Sequence, residues 1–343
     1  MSTVAKQSPG NGARRVLLIG AGGTIAMVGR STYDWVEYGE SGIIRDIAEV
    51  VQDLPPSLPG VEVELISFRT LASTGIEWRD WVELGQLVRN LIASRPDAAG
   101  IVITHGTASL EDTAWFLQLT ANSPVPVVLV GAQRPPNTSG SDAAANLRAA
   151  LAVASSGAAV GQGVLVVMNN YVYAARDVKK NSNFALDAFT AQEFGPLGRV
   201  EADGAVTFRR RPLLPVESVS RSLVSALDVA SAPRVDMALS YPGADGTAIR
   251  AFMRAGAKAI ISIGMPPGRC TPRERDALRE AVAAGVLVFQ SSRAAMGAVV
   301  PQLYNSCDGI ESGGDLAPNK LRVLLMVALA AGLSRESLRQ LLV

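Results

Sequence analysis

The sequence predicts an α/β protein of two domains: a larger N-terminal domain with a mostly parallel sheet and flanking helices, and a smaller C-terminal parallel α/β domain. The chain of 343 residues is long enough for two domains. Short β-branched runs alternate with amphipathic segments along most of it. Strands that are apolar along nearly their whole length and alternate with helices are typical of a parallel sheet buried on both faces.

The N-terminal domain begins with five predicted strands, and a helical pattern follows each of the first four. The strands lie at residues 16–19, 61–68, 99–104, 125–130 and 163–168, and the helices at 43–54, 77–93, 110–121 and 142–154. Residues 170–232 lose this alternation. Within them, residues 201–211 predict a hairpin with a turn at Asp203-Gly204, and residues 211–222 predict a linker.

The alternation resumes in the C-terminal part of the chain. Strands are expected at 235–240, 259–263 and 286–290, and helices at 247–255, 272–284 and 320–331. We therefore place a flexible tail at 1–14, a catalytic domain at 15–206, a linker at 207–232 and a second α/β domain at 233–343.

Composition and charge exclude several classes of protein. The net charge is +1 without a long run of one sign, so neither a nucleic acid nor a membrane surface is an expected partner. No stretch reaches the roughly 18 apolar residues of a membrane span, and the first apolar run is too short for a signal peptide, which favours the cytoplasm. Two cysteines without metal-ligand spacing favour free thiols, and a single histidine, His105, argues against zinc. We expect no cofactor and no metal.

The first candidate motif is the glycine-rich segment that follows the first strand, residues 20–26. Gly20 and Gly22 fit the start of a dinucleotide-binding fingerprint, but Ile25 stands where its third glycine belongs. Glycines permit a sharp turn close to a ligand. Thr24 at the end of this turn is therefore either a nucleophile or simply a turn residue.

The second candidate motif, residues 104–113, leads from a buried strand into a helix. Ser109 and Asp112 resemble a capping box, so they and Glu111 are expected to be structural. Thr107 precedes the cap and can face a ligand, whereas His105 is expected to be a hydrogen-bonded residue at the strand end.

The third candidate motif is the lysine pair Lys179-Lys180, in residues 176–181. Paired lysines are commonly solvated surface residues. The alternative is that a lysine lies near Thr107 and withdraws its proton, as in serine–lysine arrangements.

Together these segments resemble the bacterial-type L-asparaginase family, from about residue 15 to the C-terminus. The resemblance is carried by residues 22–26 and 104–107, supported by 131–135, 146–147, 167–170, 176–178 and 291–293. It implies hydrolysis of a side-chain amide through a covalent acyl-enzyme, with release of ammonia and without a cofactor. It also implies a homotetramer, a dimer of intimate dimers, in which neighbouring subunits share each active site.

The resemblance also implies roles for individual residues. Thr24 would be the nucleophile and Tyr38 its activating hydroxyl, with Tyr33 as the alternative for the second role. Thr107 and Lys180 would form a second catalytic cluster. Ser73, together with Thr74, would hold the substrate's α-carboxylate.

Three positions depart from the family pattern around the substrate's α-ammonium group. Ala108 replaces an aspartate, Arg269 stands where an asparagine is usual, and Tyr304 stands where a glutamate is usual. A buried ammonium without a counter-charge is costly. We therefore expect an amide substrate without a free α-amine, whose carboxylate or carbonyl Arg269 can pair, unless Arg269 is a surface residue. The alternatives are an ordinary L-asparaginase or glutaminase of reduced efficiency, and a non-catalytic protein that binds a small ligand.

Overall fold

The computed structural model describes residues 12–213, 227–306 and 308–342, and its larger sheet has eight strands. Their spatial order is β10-β9-β6-β5-β4-β3-β1-β2, with parallel pairing from β2 to β5 and antiparallel pairing from β5 to β10. A separate ribbon pairs β7 with β8. The strands are β1 (Arg14–Gly20), β2 (Val61–Ser67), β3 (Ala98–Thr104), β4 (Val127–Val130), β5 (Val164–Met168), β6 (Tyr171–Ala174), β7 (Lys179–Lys180), β8 (Phe189–Thr190), β9 (Gly198–Val200) and β10 (Val206–Phe208).

Helices cover both faces of the parallel strands. They are α1 (Ile47–Asp53), α2 (Trp78–Ser94), α3 (Leu110–Thr120) and α4 (Ala143–Ala154). Alternate residues of β1 enter opposite cores: Leu17 packs with α2 and α3, and Leu18 packs with α1 and α4. Successive side chains of a strand point to opposite faces, so a strand buried on both faces must be apolar throughout.

The smaller sheet contains four parallel strands in the order β11-β12-β13-β14. These are β11 (Val235–Leu239), β12 (Ala259–Gly264), β13 (Leu287–Ser292) and β14 (Glu311–Ser312). The helices of this part are α5 (Thr247–Arg254), α6 (Pro272–Ala283), α7 (Leu303–Ser306), α8 (Pro318–Ala330) and α9 (Arg335–Leu341). Helix α8 joins the two parts of the chain, because it packs against α3 and the Lys320 carbonyl accepts a 3.1 Å hydrogen bond from Trp115 Nε1.

The predicted α/β class with a larger and a smaller sheet is confirmed. The expected hairpin is present as β9 and β10, with Gly204 at φ +90° in its turn. Most of the expected linker lies outside the described residues, and the domain boundaries stay a prediction. The pattern missed β6, which returns beside β5 through Asn169 and Asn170, both at positive φ. Helix α1 also begins later than expected, because Asp46 caps it and its capping box includes Glu49.

None of the helices in the described ranges has both the length and the apolar character that crossing a bilayer requires.

Candidate active site

The order of the parallel strands defines one crevice at the carboxyl edge of the larger sheet. From β1 the chain adds β2 on one side and then β3 on the other, so the strand order reverses between β1 and β3. Ligands of open α/β sheets bind beyond the carboxyl ends of the strands at such a point. Gly20 and Thr104 are paired at these two strand ends, and the segments after them carry Thr24 and Thr107.

The glycine-rich turn after β1 lies directly against the turn after β3. Gly23 has φ +82°, and a Cβ on it would lie 2.2 Å from the backbone nitrogen of Gly106. Its N–H donates to the Leu71 carbonyl at 2.9 Å. Thr24 opens a short 3₁₀ turn and is buried. Only glycine allows both the left-handed backbone and this close approach.

The Thr24 hydroxyl has one tyrosine partner, Tyr38. The Thr24 Oγ1 and Tyr38 OH atoms are 2.9 Å apart, whereas Tyr33 is largely exposed and packs edge-on against Trp35. The loop that carries Tyr38 is held by Asn137, which accepts from the Gly29 N–H at 2.8 Å and donates to the Gly29 carbonyl at 2.7 Å. The structure therefore brings Tyr38, and not Tyr33, to Thr24.

Thr107 and Lys180 form a second pair near the first. Lys180 Nζ donates to Thr107 Oγ1 at 2.8 Å, and the hydroxyl donates to Gln133 Oε1 at 3.4 Å. Burial lowers the pKa of Lys180, while the carboxylates of Glu111 and Asp142 act in the opposite direction. A lysine whose charged form is disfavoured by desolvation can accept a proton.

The expected capping box at Ser109 and Asp112 is wrong. Ser109 occupies the N-cap position of α3 without a capping bond, because its hydroxyl donates to the Ser73 carbonyl at 2.6 Å. Asp112 accepts from Asn319 at 2.6 Å. Glu111 accepts from the Lys180 backbone N–H at 2.5 Å and from Asn319 at 2.8 Å. These side chains connect the second pair to neighbouring segments.

His105 is buried and fully hydrogen-bonded, as expected for a histidine at a strand end. The Gly106 carbonyl can only accept, so His105 Nδ1 carries the proton and donates to it at 2.9 Å. The Nε2 atom then accepts from the Thr113 hydroxyl at 3.0 Å, and Thr113 Oγ1 itself accepts from Trp81 Nε1 at 2.8 Å. Burial lowers the pKa of His105 to about 4, and the ring is neutral.

Of the expected substrate-binding residues, Ser73 packs against the turn that carries Thr107. A Cβ placed on Gly106 would meet the Ser73 Cβ at 2.4 Å, so the two residues are in direct contact. Thr74 and Ala108 are exposed beside them. Ser73, Thr74 and Ala108 therefore lie at one edge of the Thr107 turn.

The remaining expected residues lie on other parts of the molecule. Arg269 is exposed in the turn after β12, where its backbone pairs with Met265. Tyr304 belongs to α7, and its side chain is outside the described residues. The motif residues Arg176 and Arg293 line a cleft between the two sheets, in which Arg176 forms a bidentate ion pair with Asp315.

Sequence reasoning missed Gln133, Asp142 and Asn319 as neighbours of the second pair. Gln133 follows β4, the strand next to β3, so its place in the sheet was the available signal. Asp142 accepts the backbone N–H groups of Gln133 and Arg134, at 3.0 and 3.1 Å from its Oδ1 atom. Asn319 arrives from a distant helix, and no local pattern indicates such a contact.

Comparisons with known proteins show the family and the fold of the chain. The family model described as "Asparaginase, N-terminal" matches residues 15–214, and "Glutaminase/Asparaginase C-terminal domain" matches residues 234–342. A glutaminase-asparaginase of Pseudomonas fluorescens biotype A is 35% identical, over 95% of this chain and 89% of that protein. L-asparaginase 2 of Escherichia coli (strain K12) is 30% identical, over 95% and 92%. The crystal structure of a probable cytoplasmic L-asparaginase from Campylobacter jejuni has a TM-score of 0.83 at 32% identity, covering 92% of this chain and 95% of that one.

Proposed function

Because the chain belongs to the bacterial-type L-asparaginase family of amidohydrolases, we propose that it hydrolyses the side-chain amide of L-asparagine or L-glutamine through an acyl-enzyme on Thr24. The observation that carries this proposal is the pair of hydroxyl clusters at neighbouring strand ends. Thr24 contacts Tyr38 at 2.9 Å, and Thr107 contacts Lys180 at 2.8 Å. A threonine hydroxyl is a weak nucleophile and needs such a proton acceptor beside it.

In the first half of the proposed reaction, Thr24 Oγ1 attacks the amide carbon and its proton passes to the neighbouring hydroxyl cluster. The C–N bond of the tetrahedral intermediate then breaks, and the nitrogen takes up a proton and leaves as ammonia. In the second half, water attacks the ester carbon and restores the Thr24 hydroxyl. The pair Thr107–Lys180 accepts a proton from this water, and the departing Thr24 Oγ1 takes up a proton as the ester bond breaks.

The developing oxyanion needs hydrogen-bond donors, and the two turns offer backbone N–H groups. The Gly23 N–H is already used by Leu71. Thr24 is the first residue of a 3₁₀ turn, where an N–H has no acceptor within the turn. We assign the oxyanion contacts to the N–H groups of Thr24 and Thr107; one such donor is typically worth about 100- to 1,000-fold in rate.

Ammonia release by the Thr24→Ala variant tests this mechanism. We expect turnover to be abolished while fold and assembly are kept, because the change removes one hydroxyl at a turn. Thr32→Ala, at an exposed threonine of the neighbouring loop, is the matched control and should keep native turnover. In the native chain, acid quenching should trap a covalent adduct on the peptide containing Thr24, with the mass of the substrate less that of ammonia. Near-native turnover by Thr24→Ala would remove Thr24 from the mechanism.

The residues expected around the substrate's α-ammonium group favour a reduced catalytic efficiency on L-asparagine. Ala108 places no charge after Thr107, and the next carboxylates along the chain, Glu111 and Asp112, both accept hydrogen bonds from Asn319. This observation supports a second candidate function: hydrolysis of a small amide that keeps a carboxylate but lacks a free α-amine. Succinamate and N-acylated asparagine are compounds of this class.

The variant Ala108→Asp separates the two substrate classes. A charge-assisted hydrogen bond is worth roughly 1.5–3 kcal/mol, so kcat/KM for L-asparagine should rise by about 10- to 150-fold. For succinamate kcat/KM should fall, because an unpaired carboxylate enters the pocket. Adding Arg269→Asn should increase the gain on L-asparagine. If the native chain is already efficient on L-asparagine and Ala108→Asp brings no gain, another group binds the ammonium and the ordinary activity stands.

We further propose that the chain acts in the cytoplasm as a dimer of intimate dimers. In this arrangement Arg269 and the segment of Tyr304 approach the Thr24 crevice of a neighbouring subunit. The proposal is supported by the position of Arg269 on the smaller sheet, away from the strand ends that carry Thr24 and Thr107.

A further inference from the structure

Glu111 is the buried carboxylate that lies closest to the second catalytic pair. It is 8% exposed, at the first turn of α3. Its Oε2 atom accepts the backbone N–H of Lys180 at 2.5 Å. Lys180 belongs to the two-residue strand β7, which pairs only with the equally short β8 among the described strands. So short a ribbon fixes its backbone weakly, and the bond to Glu111 supplies a fixed point at Lys180 itself.

The second oxygen of the same carboxylate is held from the other end of the chain. Asn319 Nδ2 donates to Glu111 Oε1 at 2.8 Å and to Asp112 Oδ1 at 2.6 Å. Asn319 lies in the first turn of α8, which packs against α3. Glu111 therefore bridges the Lys180 backbone and a helix of the C-terminal part.

We propose that Glu111 is a positioning residue, which holds Lys180 against Thr107 and is itself fixed by Asn319. This inference rests on the proposed function of the Thr107–Lys180 pair, and it adds a residue that sets the position of Lys180 within that pair. Glu111 makes no contact with a reacting atom; it acts through the backbone of Lys180 and through its charge.

The charges around this cluster determine what the removal of Glu111 should do. Glu111 and Asp142 are the carboxylates that favour the charged form of Lys180, and burial opposes them. Lys320 lies close by, fully buried, and donates from Nζ to the Ala175 carbonyl. Asp112, Asp177 and Arg176 complete the set of charges that act on Lys320. Removing the Glu111 charge should therefore lower the pKa of Lys180.

The test compares Glu111→Gln with Asp112→Asn, a matched charge removal at the next residue of the same helix. The pKa of Lys180 is read from trace labelling with acetic anhydride over a pH series, with exposed Lys258 as the internal reference. In Glu111→Gln the labelling midpoint of Lys180 should move to lower pH; in Asp112→Asn it should stay at the native value. An unmoved midpoint in folded Glu111→Gln, or an equal shift in Asp112→Asn, would overturn the inference.

Kinetics with L-asparagine and succinamate supply the second readout. On the pH plateau, where Lys180 is neutral in both chains, Glu111→Gln should lower kcat about tenfold or more with little change in KM, because the hydrogen bond that fixes the Lys180 backbone is no longer charge-assisted. The acid limb of its pH–rate profile should move in the same direction as the labelling midpoint. A fall in kcat with an unmoved acid limb would show a merely structural effect and overturn the inference.

The labelling experiment does not depend on turnover, so it also separates this inference from the proposed function. If neither amide is hydrolysed, the function fails while the labelling midpoints still decide the role of Glu111. If Glu111→Gln does not fold, Asn319→Ala takes its place, because it removes the support of the carboxylate and leaves both carboxylates present. Asn319→Ala should lower kcat with KM nearly native, and a native kcat in that variant would contradict the proposed link.

Discussion

At the scale of residues, His105, directly after β3, and Asp112, in the first turn of α3, respond to acid in opposite ways. Burial lowers the pKa of His105 from 6.5 to about 4, and burial raises the pKa of Asp112 from 3.8 to about 6. His105 contributes stability above pH 6.5 that is lost as the pH falls through about 4. Asp112 carries a cost when ionised, and burial makes this cost diminish as the pH falls below its pKa of about 6 until it is gone below 3.8.

We predict that these two effects on the free energy of unfolding largely offset each other in the native chain. Asp112→Asn should therefore expose the loss of stability that His105 causes at acid pH. The free energy of unfolding of Asp112→Asn should fall more steeply than that of the native chain between pH 6.5 and 4. Urea unfolding at several pH values in this window measures the slopes. Asp97→Asn, at a 60% exposed side chain, is the control and should follow the native curve. Parallel curves for the native chain and Asp112→Asn would contradict the assignment.

Single residues show which parts of the site the sequence predicts and which contacts it does not. Thr24 and Thr107 were predictable as candidates because each follows a buried strand, and such strand ends meet at one edge of a sheet. The engagement of Glu111 by Asn319 was not predictable, because 208 residues separate them. The capping interpretation of Ser109 failed for a related reason: its side chain is oriented toward the Ser73 carbonyl, 36 residues away, to which its hydroxyl donates.

At the scale of elements, the contact between the turns after β1 and β3 sets the spacing of the two threonines. Gly23 meets Gly106 backbone to backbone, without an intervening side chain. The two turns can therefore be no closer, and any side chain at Gly23 must separate them. Backbone cannot yield in the way that the far end of a flexible side chain can.

We predict that Gly23→Ala costs both stability and activity, whereas Gly60→Ala costs stability alone. Both glycines have positive φ, +82° and +73°, but a Cβ on Gly60 meets nothing within 4 Å. The left-handed backbone alone costs roughly 1–2 kcal/mol with alanine. Gly23→Ala should lose more than this in urea unfolding and should lose most of its kcat. Equal stability losses with native turnover in both variants would show that the turn contact is dispensable.

The elements themselves were predictable to the extent that their burial was uniform. Strands β1, β3 and β4 have apolar central segments because both of their faces are covered, and the pattern located each of them. The ribbon of β7 and β8 gave no signal, since each strand has only two residues. Its lysine was found through motif resemblance, and its position depends on contacts outside the ribbon.

At the scale of the whole molecule, the edge of the smaller sheet exposes an apolar face. Met237, Leu239 and Tyr241 alternate along β11 and just beyond it, with 39%, 58% and 57% of their surfaces exposed. β11 is an edge strand among the described strands of this sheet. Exposed apolar edge strands invite association with another chain, which favours the assembly proposed for the active form.

We predict that activity per chain is lost when the assembly is diluted to monomers, because the site is then incomplete. Light scattering and ammonia release measured over the same dilution series should fall together. Leu239→Glu should move both transitions to higher protein concentration, since it introduces a charge into the apolar edge. Val160→Glu, at a 53% exposed valine of the larger part, is the control and should leave both transitions in place. A monomer with full activity would contradict a shared site.

The packing of α3 against α8 also has a consequence for the folding of the chain during its synthesis on the ribosome. Asn319 follows Glu111 by 208 residues, which at 5–20 residues per second is a delay of about 10–40 s. During this time α3 can fold onto its sheet, but the apolar side facing α8 stays uncovered, and Glu111 lacks its amide partner. A nascent chain at this stage needs protection from aggregation more than a finished one does. The contact that fixes Lys180 through Glu111 is complete only after α8 has docked. The proposed catalytic pair is therefore completed late in synthesis.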